Sequence, residues 1–587
     1  MVYLDFETEA IEPFPNYPPF PVGVAIKTDE TTTTTYYSWG HPTENNCTFA
    51  EIYKLLPTIC DNNEIVMHNA AFDLAILWRH FGIYPKHIHD TMVLAYLHKP
   101  YQKSLALKEL AVDLLNLPVD SRDELRDWVI ANVPAARKAK TRWGAYIANA
   151  PGTIVEPYAK DDVELTARLF THLMPIIEQD GMSPAYQVEM KLIPIMLKNT
   201  MEGVRVDVDK LANDVALYTN TMELLNAKLK ELLGVDNIDS DVQLTKAIMS
   251  KGMGDINTWP TTKTGRCQAT KSVLAEHLED KVISQMLQYR ASLGTCLNTF
   301  MIPWLTMAEA NNGKIHTQWN TTRNEGGGAR TGRLSSSPNF QNVPKEFNVF
   351  TIAMEDVPNL PELRSYIVAD DREAVLVKRD YASQELRVFA HFEDDVMMQK
   401  YKDDKNIDIH QFVTDMMNKY STREIKRSEG KALNFLNLYG GGAGKLAYKL
   451  GCSLEEAQEL KRLYNLSIPR LKEMYQEMHA RTKAEQPVRT LGGRLFYGEE
   501  GFSYKLINYL VQGSSADMSK RAIIRYNDMK IHGRLILSVH DEMILSVPRM
   551  HAESEMQILK DAMDNAISLD VPVTSDGKVG YKWSEMR

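Results

Sequence analysis

The sequence predicts a multidomain α/β protein. Three observations carry that expectation. The chain has 587 residues, more than one hydrophobic core organises, so three or four domains are expected. Short apolar strand-like runs, such as Val2–Leu4, Ile65–Met67 and Ala374–Val377, alternate with long stretches of helical periodicity. Acidic residues stand at the ends of such runs early and late in the chain, at Asp5 and Glu7 and again at Asp380 and Asp541.

Composition narrows the class. Hydrophobic residues make up 44% and charged residues 25%, ordinary for a globular protein. No run of 18 apolar residues occurs, so no membrane span is expected. MVYLDFETEA lacks a basic region followed by an apolar core, so it does not read as a signal peptide. Cys47, Cys60, Cys267, Cys296 and Cys452 are scattered without metal-ligand spacing, which predicts reduced thiols and a cytoplasmic setting. Net charge is −10. That argues against nucleic acid as a partner of the whole surface, but Lys314, Arg323, Arg330, Arg333 and Lys345 meet only Glu325 between Gly313 and Lys345. The expectation there is a local basic stripe able to hold phosphate.

Taken in order, the first element is a strand carrying Asp5 and Glu7. Alternation puts both carboxylates on one face, a natural pair of hard oxygen ligands. EIVMHNAAFDLAIL predicts a buried strand, then a helix carrying Asn69 and Asp73. EPYAKDDVELTARLF predicts a helix with Tyr158 and Asp162 one turn apart on one face. From Met190 to Leu233 the pattern is helical, broken at Glu202–Asp207, with Leu225, Leu229 and Leu232 as a core stripe. ARTGRLSSSPNFQNVP is dense in Ser, Gly, Asn and Pro and reads as a loop.

In EAVLVKRDYASQELRVFAHF a strand ends near Asp380 and a helix carrying Glu385 follows. RSEGKALNFLNLYGG is a helix with Arg427, Lys431, Phe435 and Tyr439 at four-residue intervals, a ridge about 18 Å long. Two cations a turn apart suit a polyphosphate, and two rings beyond them suit a base and a sugar. Gly440–Gly442 stop the helix. NYLVQGSSADMSKRA predicts a helix with Asn508 and Gln512 one turn apart, and RLILSVHDEMILSVP a β-hairpin with His540, Asp541 and Glu542 at its tip.

These motifs carry a resemblance. D-x-E, N-x2-F-D and Y-x3-D, in that order, resemble the three motifs of 3′–5′ proofreading exonucleases with a ribonuclease H-like fold. R-x3-K-x3-F-x3-Y-G, T-G-R-L-S-S…P-N-x-Q-N-x-P and D-Y-x3-E-L-R resemble family A DNA polymerases, the bacterial DNA polymerase I-like group in its phage form. The resemblance implies an exonuclease domain over 1–185 and a right-hand polymerase domain over 186–587. Within the latter it implies a thumb near 190–310, a palm near 311–400 and 486–587, and fingers near 401–485.

It also implies roles. Asp5, Glu7, Asp73 and Asp162 would hold two Mg²⁺ ions for the exonuclease, with Tyr158 orienting the attacking water. Asp380, Asp541 and the Tyr381 carbonyl would hold two more for polymerisation, with Glu542 as an auxiliary carboxylate. Arg427, Lys431 and His410 would hold the triphosphate, and Lys431 would donate a proton to pyrophosphate. Phe435 would face the sugar and base, Tyr439 the template-side stack, and Glu385 the sugar C2′, where a 2′-hydroxyl would clash.

Arg333, Gln341, Asn342, Asn508, Gln512 and His540 would contact primer-template DNA. PAARKAKTRWG, with Arg137, Lys138, Lys140, Arg142 and Trp143, reads equally as a grip on single-stranded DNA or as a solvated loop. Ser383, Gln384 and Tyr504 depart from the bacterial pattern, and Lys505 is the candidate replacement for an Arg expected at 504. No thioredoxin-binding insertion is seen, and no 5′ nuclease domain is expected because the first strand starts at residue 2. A monomeric phage replicative polymerase taking deoxynucleoside triphosphates is the first reading. A gap-filling repair polymerase is the alternative, with a non-catalytic DNA-binding scaffold and a stand-alone exonuclease behind it.

Overall fold

The computed structural model describes residues 1–587 other than 30–32, 118–121, 140–141, 323–328, 351, 353 and 587, with the side chains of 122 and 123 also left aside. Lys140, Arg323 and Glu325 therefore lie outside the described residues. No described helix is long and apolar enough to cross a membrane.

The N-terminal part is built on a five-stranded sheet in the order Thr35–Ser38, Pro21–Thr28, Val2–Thr8, Glu64–Met67, His87–Asp90. The first three strands are antiparallel, and Val2–Thr8 pairs in parallel with Glu64–Met67, which pairs in parallel with His87–Asp90. The long helix Gly152–Gln179 packs across this sheet. Val2–Thr8 is buried along most of its length, so it is a central strand with its carboxylates held inside the fold.

The C-terminal part is built on a four-stranded antiparallel sheet, in the order Arg534–Val539, Glu542–Pro548, Ala374–Tyr381, Ser575–Gly580. The predicted strand at Ala374–Val377 thus runs on to Tyr381. Asp380 lies inside it, paired with Glu542 on one side and Asp576 on the other. The expected hairpin is present, but Glu542 belongs to its second strand and is buried. Only His540 and Asp541 form the turn, with His540 at φ 59°.

Between the sheets lie helices. Ser183–Glu202 ends at Gly203, whose φ of 69° breaks the helix where the sequence expected, and Val208–Leu233 restarts under an Asp207 cap. The hydrophobic side chains form two cores. Ser183–Glu202 supplies Ile193 and Leu197 to the first, and Leu192 and Met196 to the second. The boundary expected at 185 therefore runs beside a helix shared by both cores.

That helix also carries a buried ion network. Glu189 accepts from Arg494, and from Lys520 at 2.5 Å, while Arg494 Nε donates to Asp517 at 2.6 Å. All four side chains are buried. Two local expectations are corrected here. Asn69 precedes its helix as a left-handed cap at φ 64°, with Ala70–Ile76 following. The PAARKAKTRWG stretch carries the helix Pro134–Lys138 and the start of the 3₁₀ helix Trp143–Asn149, and the Arg137 side chain turns back onto the Ile130 and Ala131 carbonyls at the end of the preceding helix.

Candidate active sites

The first site sits on Val2–Thr8. Carboxylate oxygens of Asp5, Glu7 and Asp162 all lie within 4.8 Å of one another, the only such acidic group among the described residues. Asp162 reaches it from Gly152–Gln179, and its neighbour Asp161 is not part of the group. Asp73 stands beside it: its Oδ1 accepts from the Phe6 amide at 3.1 Å, and its charge acts on Asp5. Burial, then mutual repulsion, pushes the Asp5 carboxyl well above its ordinary range. Burial and Asp162 likewise raise Glu7 to about 8, and burial raises Asp73 to about 8.

An all-oxygen set of this density fits hard divalent cations. Glu7 Oε1 is buried without a hydrogen-bond partner, as a metal-facing oxygen would be. Tyr158 lies one turn before Asp162, with Trp143 edge-on to it at 6.3 Å.

Two residues here escaped the sequence reading. Lys108, on the helix Leu107–Leu115, places its ammonium 2.9 Å from Asp162 and 3.6 Å from the centre of the Tyr158 ring. Asp90 accepts from the Asn69 and Ala70 amides at 3.0 and 2.9 Å, which holds the segment leading to Asp73. LALKEL reads as any amphipathic helix, so nothing in the sequence marks Lys108. Asp90 has a weak signal, a strand end followed by a helix start.

The second site sits where Ala374–Tyr381 meets the hairpin turn. The Tyr381 amide donates to the Asp541 carbonyl at 3.2 Å, which sets the turn against the strand end. Burial, then Asp541 and Glu542, raise the Asp380 carboxyl, and burial raises that of Asp541. Asp380 Oδ1 is buried without a hydrogen-bond partner, so this pair also fits a divalent cation. The Lys345 charge acts to lower both aspartates. Glu542 differs from expectation. Its Oε2 pairs with Lys378 at 3.1 Å and its Oε1 accepts from Trp583 at 2.9 Å, so both oxygens are engaged in anchoring the strand. The Tyr381 ring is buried, its hydroxyl on the Met563 carbonyl.

The ridge helix runs over Arg427–Leu438, with Tyr439 as its cap and Gly440 at φ 64°. Arg427 and Lys431 are exposed. Phe435 and Tyr439 stack at 6.4 Å and 12°, so the two rings share one face as their spacing implied. Arg427 Nε donates to Asp408 at 2.6 Å, and His410 lies 5.6 Å from the Phe435 ring centre. The ridge is joined to the sheet side through Glu385, which accepts from Tyr439 at 2.7 Å and from Arg333. Gln512 also bonds Tyr439. Gln341 donates to the Ser538 carbonyl at 3.3 Å on the hairpin, Asn342 is exposed, and Asn508 is half-buried on the helix Lys505–Met529.

The basic stripe is not bare. Arg330 pairs with Glu499 at 2.9 Å, Arg333 with Glu385, and Lys314 donates to the Glu202 carbonyl. Lys505 turns to Glu499 at 3.2 Å, while Tyr504 packs on the backbone of Gly440 so closely that any Cβ there would strike its ring.

A family model described as DNA polymerase family A matches residues 208–585, and one described as 3′-5′ exonuclease matches residues 1–178. The chain belongs to DNA polymerase family A. Its family A relatives include the thermostable DNA polymerase I of Thermus filiformis, 29% identical over 442 residues, which cover 72% of this chain and 51% of that protein. DNA polymerase I of Helicobacter pylori (strain ATCC 700392 / 26695) is 26% identical over 518 residues, covering 85% of this chain and 53% of that protein. The chain spans about half the length of the curated relatives it matches. In fold it is similar to the POL domain of Pol1 from M. smegmatis, solved in complex with DNA primer-template and dNTP. The TM-score is 0.77 at 22% identity, over 99% of this chain and 95% of that one.

Proposed function

We propose that this chain extends a DNA primer on a template with deoxynucleoside triphosphates and removes misplaced 3′ ends by 3′–5′ exonuclease action. The observation that carries the reading is the pair of acidic centres on separate sheets, one of them flanked by the ridge of two cations and two rings. Asp5, Glu7, Asp73 and Asp162 would hold two Mg²⁺ ions at one centre; Asp380, Asp541 and the Tyr381 carbonyl would hold two at the other. When bound, such ions supply charge neutralisation at the reacting phosphate and a more acidic oxygen nucleophile.

The protein's own groups do the rest. Arg427, Lys431 and His410 hold the phosphate chain, and Lys431 delivers a proton to the departing pyrophosphate. Phe435 and Tyr439 receive sugar, base and template-side stack. Glu385, held between Arg333 and Tyr439, presents a fixed wall to the sugar C2′. Arg333, Gln341, Asn342, Asn508, Gln512 and His540 line the primer-template side, where minor-groove acceptors occur on every correct base pair. Tyr158 orients the attacking water at the exonuclease centre. Gly440–Gly442 act as the hinge on which the ridge closes. The exonuclease unit is assigned to 1–185 and the polymerase unit to 186–587, with thumb, palm and fingers as set out above.

Asp541→Ala should abolish nucleotide addition and spare exonuclease activity, and Asp5→Ala the reverse. Primer extension at the normal rate by Asp541→Ala would refute the assignment. A phage replicative role predicts thousands of nucleotides added per binding event on a long primed template; gap-filling repair predicts tens.

A further inference from the structure

His410 lies on the helix Ile409–Asn418, buried between the ridge helix and the helix Leu454–Ser467. Its Nδ1 is 2.9 Å from Asn434 Nδ2, and Asn434 Oδ1 accepts from the Tyr464 hydroxyl at 2.8 Å. Asn434 and Tyr464 are each 1% exposed, and His410 is 8% exposed. In this arrangement the Asn434 amide turns its oxygen toward the Tyr464 hydroxyl and its NH₂ toward the imidazole. A ring nitrogen that receives an N–H bears no hydrogen of its own, so the ring hydrogen sits on Nε2.

We infer that Asn434 and Tyr464 are positioning residues that hold His410 as the neutral Nε2–H tautomer. The ring then offers the nucleotide's phosphate chain a hydrogen bond and not a third full charge. This rests on the reading of the ridge as the nucleotide wall. Arg427 and Lys431 face His410 from the ridge helix, Asp408 faces it from the cap of its own helix, and Tyr464 faces it from Leu454–Ser467. Burial, then Lys431 and Arg427, lower the imidazole to about 4, so charge and geometry favour the same state. Two arginine and lysine charges grip the substrate; a third would grip the pyrophosphate product as strongly and slow its departure.

The test is the pH dependence of the dNTP KM and kcat in primer extension between pH 6 and 8.5. In Asn434→Asp the carboxylate accepts from Nδ1–H and supports an imidazolium. Its KM relative to the unaltered protein should fall about fivefold at pH 6 and rise about fivefold at pH 8.5, where the neutral ring now turns a bare Nε2 to the phosphate. Single-strand exonuclease activity should be unchanged. Adding His410→Gln should flatten the ratio, because no titrating ring remains. A pH-independent ratio, or a crossover surviving His410→Gln, overturns the inference.

In the unaltered protein, a nitrogen NMR spectrum of isotope-labelled histidines, with His410 assigned by its loss in His410→Gln, should show hydrogen on Nε2. Hydrogen on Nδ1 overturns it. Failure of the unaltered protein to extend primers in Mg²⁺ would instead refute the polymerase reading itself.

Discussion

The Tyr439 hydroxyl donates to the Glu385 carboxylate at 2.7 Å, joining the last ring of the ridge to the helix that follows Asp380. Glu385 receives Arg333 on its other oxygen, so one carboxylate ties together three separate segments of the chain. Burial, then Glu385, raises the Tyr439 phenol to about 12, so it is a donor throughout the physiological range.

Sugar selection should follow from that tie. Glu385→Ala removes the wall at C2′ and should raise ribonucleotide incorporation at least tenfold, about 1.4 kcal/mol of lost discrimination. Tyr439→Phe leaves the wall but frees one anchor, so its effect should be smaller. Competition between ribonucleotide and deoxynucleotide at one template position measures both. Equal discrimination in all three proteins would remove Glu385 from the sugar.

Phe435→Tyr should make dideoxynucleotides more acceptable, as the family resemblance implies for that position. Chain-termination ratios read this directly. An unchanged ratio would mean the ridge does not face the sugar.

The acidic cluster at Asp5, Glu7, Asp73 and Asp162 sets a pH dependence whose sign can be worked out. Folded-state carboxyls at about 8, for Glu7 and Asp73, stand above the unfolded values. Between about pH 4.5 and 8 the folded protein then binds more protons than the unfolded chain, and metal-free stability falls as pH rises. In chelator at pH 8, Glu7→Gln should raise the melting midpoint by about 2–4 °C, roughly 1 kcal/mol. At pH 5 it should give no gain. The apparent Mg²⁺ affinity of the unaltered protein should increase with pH over the same window, because binding releases protons. A Glu7→Gln shift in midpoint that is the same at pH 5 and pH 8 would contradict the proton assignment.

Lys108 places a cation against Asp162, in the place of part of the charge that the proposed metal ions would bring. Lys108→Met should lower metal-free stability, through unrelieved carboxylate repulsion, and tighten Mn²⁺ binding at the exonuclease centre about tenfold, or 1.4 kcal/mol. Calorimetric titration of Asp541→Ala, with and without the Lys108 change, isolates that centre. Weaker Mn²⁺ binding would instead make Lys108 a support for the ligands.

Arg494→Met removes the buried cation that Glu189 and Asp517 share and should cost about 3–5 kcal/mol in denaturant unfolding. A loss under 1 kcal/mol would mean Lys520 compensates alone.

The local placement of these side chains was legible in the sequence because it depends on spacing along one element. Asp5 and Glu7 share a strand face, Tyr158 and Asp162 a helix face, Phe435 and Tyr439 a ridge, and each pair needs only the local period to be recognised. What could not be read depends on distant segments meeting. Arg333 and Glu385 are 52 residues apart, and Arg330 and Glu499 are 169 apart. Their pairing turned an apparent basic stripe into a set of neutralised contacts. Glu542 looked like a free acid at a turn because Lys378 and Trp583 arrive from other strands and from the C-terminus. Asn434 stands next to the recognised Phe435, yet its role depends on Tyr464, 30 residues downstream.

The helix Ser183–Glu202 has a consequence for how the molecule comes apart. Its alternate faces supply Ile193 and Leu197 to one core and Leu192 and Met196 to the other, and Glu189 fastens its middle. Neither core can melt without uncovering half of the helix that serves the other. Differential scanning calorimetry should therefore record a single endotherm, and a protease should find no bare linker at residue 185 to nick.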